Sequence, residues 1–251
     1  MSTRSVRWLA YARWQLLDAL WQRLALPLGV TMLFTVAGFY SIKDRATGHP
    51  EFWLTGDGRR FAAMMMRQAM SMFIPLAVLM GTNGVVAQDR QKGFFRFYFS
   101  KPVPVPGFYG LAYLIHAALA SAGAAVVAAG IGWYAAPQPV LGVAMACALT
   151  FVLLGSLLFL LSTLTYQDGL FFIIIWFVTL TLRQVELTMK AGHWLHTAVR
   201  ILPPTHRLDA VRDALYAGAP WPATDLWHVL AYGGSCLVLA AIALRKLPLA
   251  R

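Results

Sequence analysis

The sequence predicts an all-α integral membrane protein: six transmembrane helices preceded by an N-terminal amphipathic interfacial helix, with short re-entrant helices before the last span. Three observations predict it. Only 12% of the 251 residues are charged and 59% are hydrophobic, against roughly 25% charged in a soluble domain. Between Lys101 and Asp168 lie 66 consecutive residues without Asp, Glu, Lys or Arg; one crossing takes about 20 apolar residues, so that stretch holds more than one span. The basic residues, finally, fall on flanks and loops, and the rest is compatible with lipid. Residues 1–251 therefore read as a single transmembrane domain.

Residues 4–23 open the chain as an amphipathic helix. At 100° per residue, Arg4, Arg7, Tyr11, Gln15, Asp18 and Gln22 form one polar stripe, opposite Val6, Leu9, Leu16, Leu17, Leu20 and Trp21. Helices rich in Trp and Arg of this kind lie in the membrane interface. Arg13, Asp18 and Arg23 interrupt any apolar core here, which excludes a secretory signal. The first span follows over residues 24–42, with Pro27 in its first turn, where proline is tolerated. A polar loop with Gly48, Pro50, Gly56 and Gly58 leads to the second span, residues 64–87, which Pro75 is expected to kink.

The uncharged stretch divides at Pro137-Gln138-Pro139 into a third span, residues 108–135, and a fourth, residues 140–165. Tyr166-Gln167-Asp168-Gly169 makes a tight turn into the fifth, residues 170–188. Residues 189–225 form a long region with Pro203-Pro204 and Pro220-Trp221-Pro222, and the sixth span covers residues 226–244.

Orientation follows from Lys and Arg. With the N-terminus inside, eleven of them face the cytoplasm and eight lie in external loops, a shallow bias toward cytoplasmic N- and C-termini. The net charge of +11 reads as attraction to anionic lipid headgroups, with no nucleic acid as partner. Cys147 and Cys236 lie inside apolar runs and read as small hydrophobes.

Residues 88–106 are the unusual connector. Arg90, Lys92, Arg96 and Lys101 are interleaved with Phe94, Phe95, Phe97, Tyr98 and Phe99, and Pro102, Pro104 and Pro106 close the segment. Five aromatics are too much apolar surface to leave in water uncovered. Two readings stand: a short helix docked in a groove of a cytoplasmic partner, or a helix lying on the inner leaflet with its bases on phosphates.

The pattern Asp89-Arg90-Gln91-Lys92-Gly93 followed by Ser100-Lys101-Pro102-Val103 resembles the cytoplasmic loop of ABC-type exporter permeases of the type-2 class. The resemblance extends over the chain: the N-terminal helix, the six spans, and Leu202-Pro203-Pro204 with Leu208–Gly218 where that family folds re-entrant helices. Phe94 and Phe95 depart from the Thr-Leu and paired leucines more common there. The resemblance implies a coupling helix over residues 88–101, with Asp89, Arg90, Lys92 and Gly93 as contacts to a separate ABC-type ATPase subunit and Phe94, Phe95, Arg96 and Phe97 as its packing surface. It also implies a homodimer or a pairing with a related permease, and the plasma (inner) membrane of a prokaryote. The sequence itself offers the Gly123, Gly130 and Gly132 face of the third span for such a dimer.

No lysine sits in the Gly-x4-Gly-Lys-Ser/Thr setting a phosphate-cradling loop needs: the five are followed by Asp44, Gly93, Pro102, Ala191 and Leu247. ATP and Mg are thus expected in the partner subunit, and no enzyme activity or bound cofactor in this chain. Arg183 and Glu186, three apart near the end of the fifth span, are candidates for a substrate path, because charge inside a span is costly. His193 and His196, with His206 beyond, and the methionines of the second span are metal-ligating types, but solvated loop histidines and adaptable packing account for them. An ion-coupled secondary transporter is the main rival, though the spans hold almost no charge at midplane. An intramembrane protease would have to bring Ser156 to His228.

Overall fold

The structure, a computed structural model, describes residues 12–40, 52, 55–92, 104–188 and 202–246. The described residues are helical throughout their regular elements, with no strand. Six helices are long and apolar enough to cross a membrane. They are α1 (Ala12–Tyr40), α2 (Gly56–Thr82), which continues through a turn into the short α3 (Ala87–Gln91), α4 (Val105–Tyr134), α5 (Val140–Leu164), α6 (Asp168–Thr188) and α8 (Ala223–Lys246). A thirteen-residue helix, α7 (Thr205–Ala217), lies between the last two.

The expected boundary near residue 24, between an interfacial helix and a first span, is absent: α1 runs unbroken from Ala12. Its turn at Ala19–Leu24 is π-helical, closed by the Ala25 N–H on the Leu20 carbonyl. Pro27 gives the physical reason. Its ring would strike the carbonyl four residues back in an α-turn, and widening the preceding turn lets the helix continue. Residues 4–11 of the expected interfacial helix lie outside the described residues. Pro106 likewise sits in the first turn of α4, where its missing N–H costs nothing. Pro203 and Pro204 stand immediately before α7, in the region expected to hold re-entrant helices, of which residues 189–201 lie outside the described residues.

The chain forms two compact units. The first comprises Met1–Gly81, Leu114–Ala148 and Arg212–Trp221. In it the Arg23 guanidinium lies 3.4 Å from the carbonyl of Met80 and 3.5 Å from that of Gly81, donating to carbonyls that the end of α2 leaves unpaired. Glycines let its helices approach. A Cβ on Gly123 would meet the Phe73 ring at 3.0 Å and Leu28 at 3.2 Å, and one on Gly132 would meet the Gln138 backbone at 3.3 Å. Two of the three glycines read as a dimer face are therefore spent on contacts inside the chain, and Gly130 alone of them faces open space. Met66 and Met70 are buried in this unit's core, and Met65 packs on Gly38. Arg67 pairs with Asp213 at 3.5 Å, with both side chains more than half exposed, where such pairs add little stability.

The second unit comprises Thr82–Tyr113, Leu149–Val211 and Pro222–Arg251. Its centre is the packing of α8 on α5, where Gly233 lies directly against the Val152 carbonyl. Next to that contact, Phe151–Gly155 forms a second π-helical segment. The Phe151 carbonyl accepts a 2.7 Å hydrogen bond from the buried Tyr113 hydroxyl, supplying a partner to a group that the widened turn displaces from the α ladder. Around this centre α6 exposes Phe171, Ile173, Ile174, Phe177 and Leu180. A continuous apolar face of that size belongs against lipid or another membrane helix.

Candidate functional site

Two constellations in the second unit join polar chemistry to these helices. The first is the turn between α2 and α3. Gly84 takes φ +69, a left-handed conformation in which only glycine is unstrained, and the Asp168 carboxylate accepts its N–H at 2.7 Å. The N–H groups of Val86 and Ala87, orphaned at the start of α3, both reach the Ser162 hydroxyl, at 3.1 and 3.2 Å. Ser162 is fully buried and Asp168 nearly so. A helix start is thus capped by residues more than 70 positions away in the chain, on the last turn of α5 and the first turn of α6.

Arg90 locks the same junction from the far side of α3. Its Nη1 donates to the Thr163 carbonyl at 2.9 Å, its Nη2 to the Tyr166 hydroxyl at 3.3 Å, and its guanidinium lies 4.7 Å from the Tyr166 ring centre. Asp89 accepts a 2.9 Å hydrogen bond from the buried Tyr109 hydroxyl of α4. Both residues, read from the sequence as contacts to a partner subunit, are half-buried and also hydrogen-bond within the chain. Lys92, the last described residue of the segment, is exposed. Gly93, Phe94, Phe95, Arg96 and Phe97 lie outside the described residues.

The second constellation is a cavity of about 980 Å³. Glu186 from the end of α6, His206 and Arg207 from the start of α7, and His228 from α8 line one end of it. Leu157 and Leu160 of α5, Pro204, and Ala231, Tyr232, Ser235, Cys236 and Leu239 of α8 line the rest. Arg207 Nη1 lies 3.1 Å from Asp225 Oδ1 and 3.1 Å from His228 Nδ1. His228 Nδ1 is also 2.7 Å from the Thr224 carbonyl. One ring nitrogen cannot both accept from Arg207 and donate to Thr224, so the tautomer chooses between them. Burial, and then the charges of Arg183 and Arg207, hold the His206 pKa below its usual value.

Of the two residues read as substrate-path candidates, Glu186 lines this cavity with His206, Arg207 and His228, and Arg183 is close enough to act on His206. Ser156 is not brought to His228. It is fully buried and donates to the Val152 carbonyl at 2.5 Å. Its level on α8 is that of Cys236, two turns beyond His228 and so about 12 Å along the helix. Among the described residues no group of three or more His, Cys, Asp or Glu side chains is placed to hold a metal; His193 and His196 lie outside them.

Ser162, Asp168, Tyr109 and Arg207 were not singled out by the sequence. Asp168 alone left a signal there, as the first charge after 66 uncharged residues. The two constellations mark the ends of α6: Asp168 and Glu186 are 18 residues apart, about 27 Å along a helix, close to the roughly 30 Å of a hydrocarbon core. No protein-family model and no curated protein sequence matches the chain.

Proposed function

We propose that the chain is the transmembrane subunit of an ATP-driven exporter of the type-2 ABC permease class. It would work as two copies with two separate ATPase subunits in the plasma (inner) membrane of a prokaryote, with both termini cytoplasmic. ATP and its magnesium belong to the partner in this reading.

The observation that carries it is the pinned start of the segment between α2 and α4. An ATPase that closes on nucleotide moves a span only through an element stiff enough to carry the displacement. Force applied to Lys92 and the aromatic residues after it meets a backbone held by Asp168, Ser162 and, through Arg90, Thr163. The load passes to the end of α5 and the start of α6. Asp89 and Arg90 therefore hold the lever, and Lys92 with Phe94, Phe95, Arg96 and Phe97 meets the partner.

Co-expression with an ATPase encoded beside this chain tests the reading. Wild type retains the ATPase through purification, and Phe95→Asp loses it. Asp168→Ala retains it but loses the coupling of ATP hydrolysis to transport. An ATPase and transport both retained by Phe95→Asp, or transport driven by an ion gradient with no ATPase present, overturns the proposal.

A further inference from the structure

We propose that His228 is a protonation switch: neutral, it holds Arg207 and so the start of α7 against α8, and protonated, it leaves Arg207 to Asp225 alone. Every contact involved lies within the second unit, and nothing in the switch requires the ATP-driven reading.

Three groups meet at one ring nitrogen. Arg207 Nη1 stands 3.1 Å from Asp225 Oδ1 and 3.1 Å from His228 Nδ1, and the same Nδ1 stands 2.7 Å from the Thr224 carbonyl. A terminal guanidinium nitrogen carries two hydrogens, so Nη1 serves Asp225 and His228 together as long as Nδ1 holds a lone pair. In that state the ring gives the Thr224 carbonyl nothing. Once both ring nitrogens carry protons, Nδ1–H donates to Thr224, whose carbonyl has two lone pairs to offer. The ring is then a cation facing the Arg207 guanidinium, and a hydrogen bond has become a repulsion. Either state satisfies the ring, but only the neutral one gives Arg207 both of its partners.

The surroundings suit such a switch. His228 is exposed, so a proton reaches it, and histidine is the side chain that ordinarily changes charge between pH 5 and 8. Among the described residues, Arg183 and Glu186 at the end of α6, His206 and Arg207 at the start of α7 and Asp225 on α8 face the same space. Leu157 and Leu160, which α5 contributes there, carry no charge. The Arg207–Asp225 pair, with side chains 30% and 29% exposed, persists in both states, so protonation loosens α7 without detaching it. The loosening reaches the backbone, because the N–H groups of Arg207 and Leu208 both rest on the Pro204 carbonyl, at 3.1 and 3.2 Å. His206, Arg207 and Pro204 also line the cavity of about 980 Å³, so the same proton softens one of its walls.

Hydrogen exchange of the full chain in detergent tests the switch, read by mass spectrometry over residues 205–211 at pH 7.5 and 5.5, with labelling times scaled for the intrinsic pH dependence of amide exchange. In wild type the protection of this segment should fall about fivefold at the lower pH, the loss of one hydrogen bond. His228→Gln, neutral at both values, should show no such fall. His228→Lys, charged at both, should exchange at pH 7.5 as wild type does at 5.5; if it fails to fold, His228→Gln alone decides. His206→Gln separates the two histidines and should keep the wild-type response. Protection that is the same at both pH values in wild type overturns the switch. So does a full response in His228→Gln, or a response abolished by His206→Gln.

Discussion

Ser162 accepts two backbone N–H groups that have no other partner at the start of α3, so its hydroxyl does the work of an N-cap from a distance. Ser162→Ala should cost about 1–2 kcal/mol, read as a lower unfolding midpoint of the reconstituted protein. Asp168→Ala removes a charge-assisted bond and should cost about 1.5–3 kcal/mol. Asp168→Asn keeps an acceptor oxygen and should cost less than Asp168→Ala; equal losses would show that the bond to Gly84 is not what Asp168 supplies. His206 gives a pH dependence. Its folded-state pKa lies below the unfolded value of 6.5, so the unfolded chain binds more protons between the two. Stability should therefore be full above pH 6.5 and fall as pH drops through that value toward the depressed one. His206→Gln should flatten the slope of unfolding midpoint against pH in that window. None of these partners was legible in the sequence, because a serine or aspartate at a span end is compatible with water, lipid headgroup or a distant backbone alike.

At the scale of elements, glycines separate what sequence reasoning reached from what it did not. A run of glycines on α4 announces close approach but not the identity of the surface approached: Gly123 meets Phe73 and Leu28, and Gly132 meets Gln138, all within the same chain. Gly233 and Gly234 of α8 are adjacent in sequence and opposite in consequence. Gly233 lies against the Val152 carbonyl, whereas Gly234 has nothing within 4 Å. Gly233→Ala should separate α8 from α5 at a cost of about 1–3 kcal/mol, while Gly234→Ala should stabilise α8 by up to about 1 kcal/mol through helix propensity. Thermal unfolding of the two variants in the same detergent distinguishes them. The two π-helical segments were equally hidden, since each depends on a neighbour or a proline ring rather than on hydrophobic period.

For the whole molecule, the proposed orientation sets Lys92, Gln167 and Lys246 on the cytoplasmic face and Thr224 on the opposite one. Single cysteines at these exposed positions test it, with Cys147 and Cys236 buried and free. A thiol reagent that cannot cross membranes should label Thr224→Cys in intact cells, and Gln167→Cys and Lys246→Cys only after permeabilisation. The reverse pattern would invert the topology and with it the side from which an ATPase approaches. Charge counting could not decide this firmly, because eleven against eight basic residues is a small difference. The number of spans was far plainer, because a bilayer demands a run of about 20 apolar residues for each crossing, and no partner residue is needed to recognise one.

By itself the sequence determined six apolar helices, their order, and one connector in which bases and aromatics are interleaved. Each is a property of consecutive residues against a solvent of known thickness. Only the tertiary structure decided that Asp89 and Arg90 hydrogen-bond to Tyr109, Thr163 and Tyr166, that Asp168 and Ser162 hold the connector's first turn, and that Glu186 and Arg207 line one cavity. Hydrogen bonds and charge pairs depend on separations of a few ångströms between residues up to 84 positions apart. Distances of that kind exist only once the helices have packed.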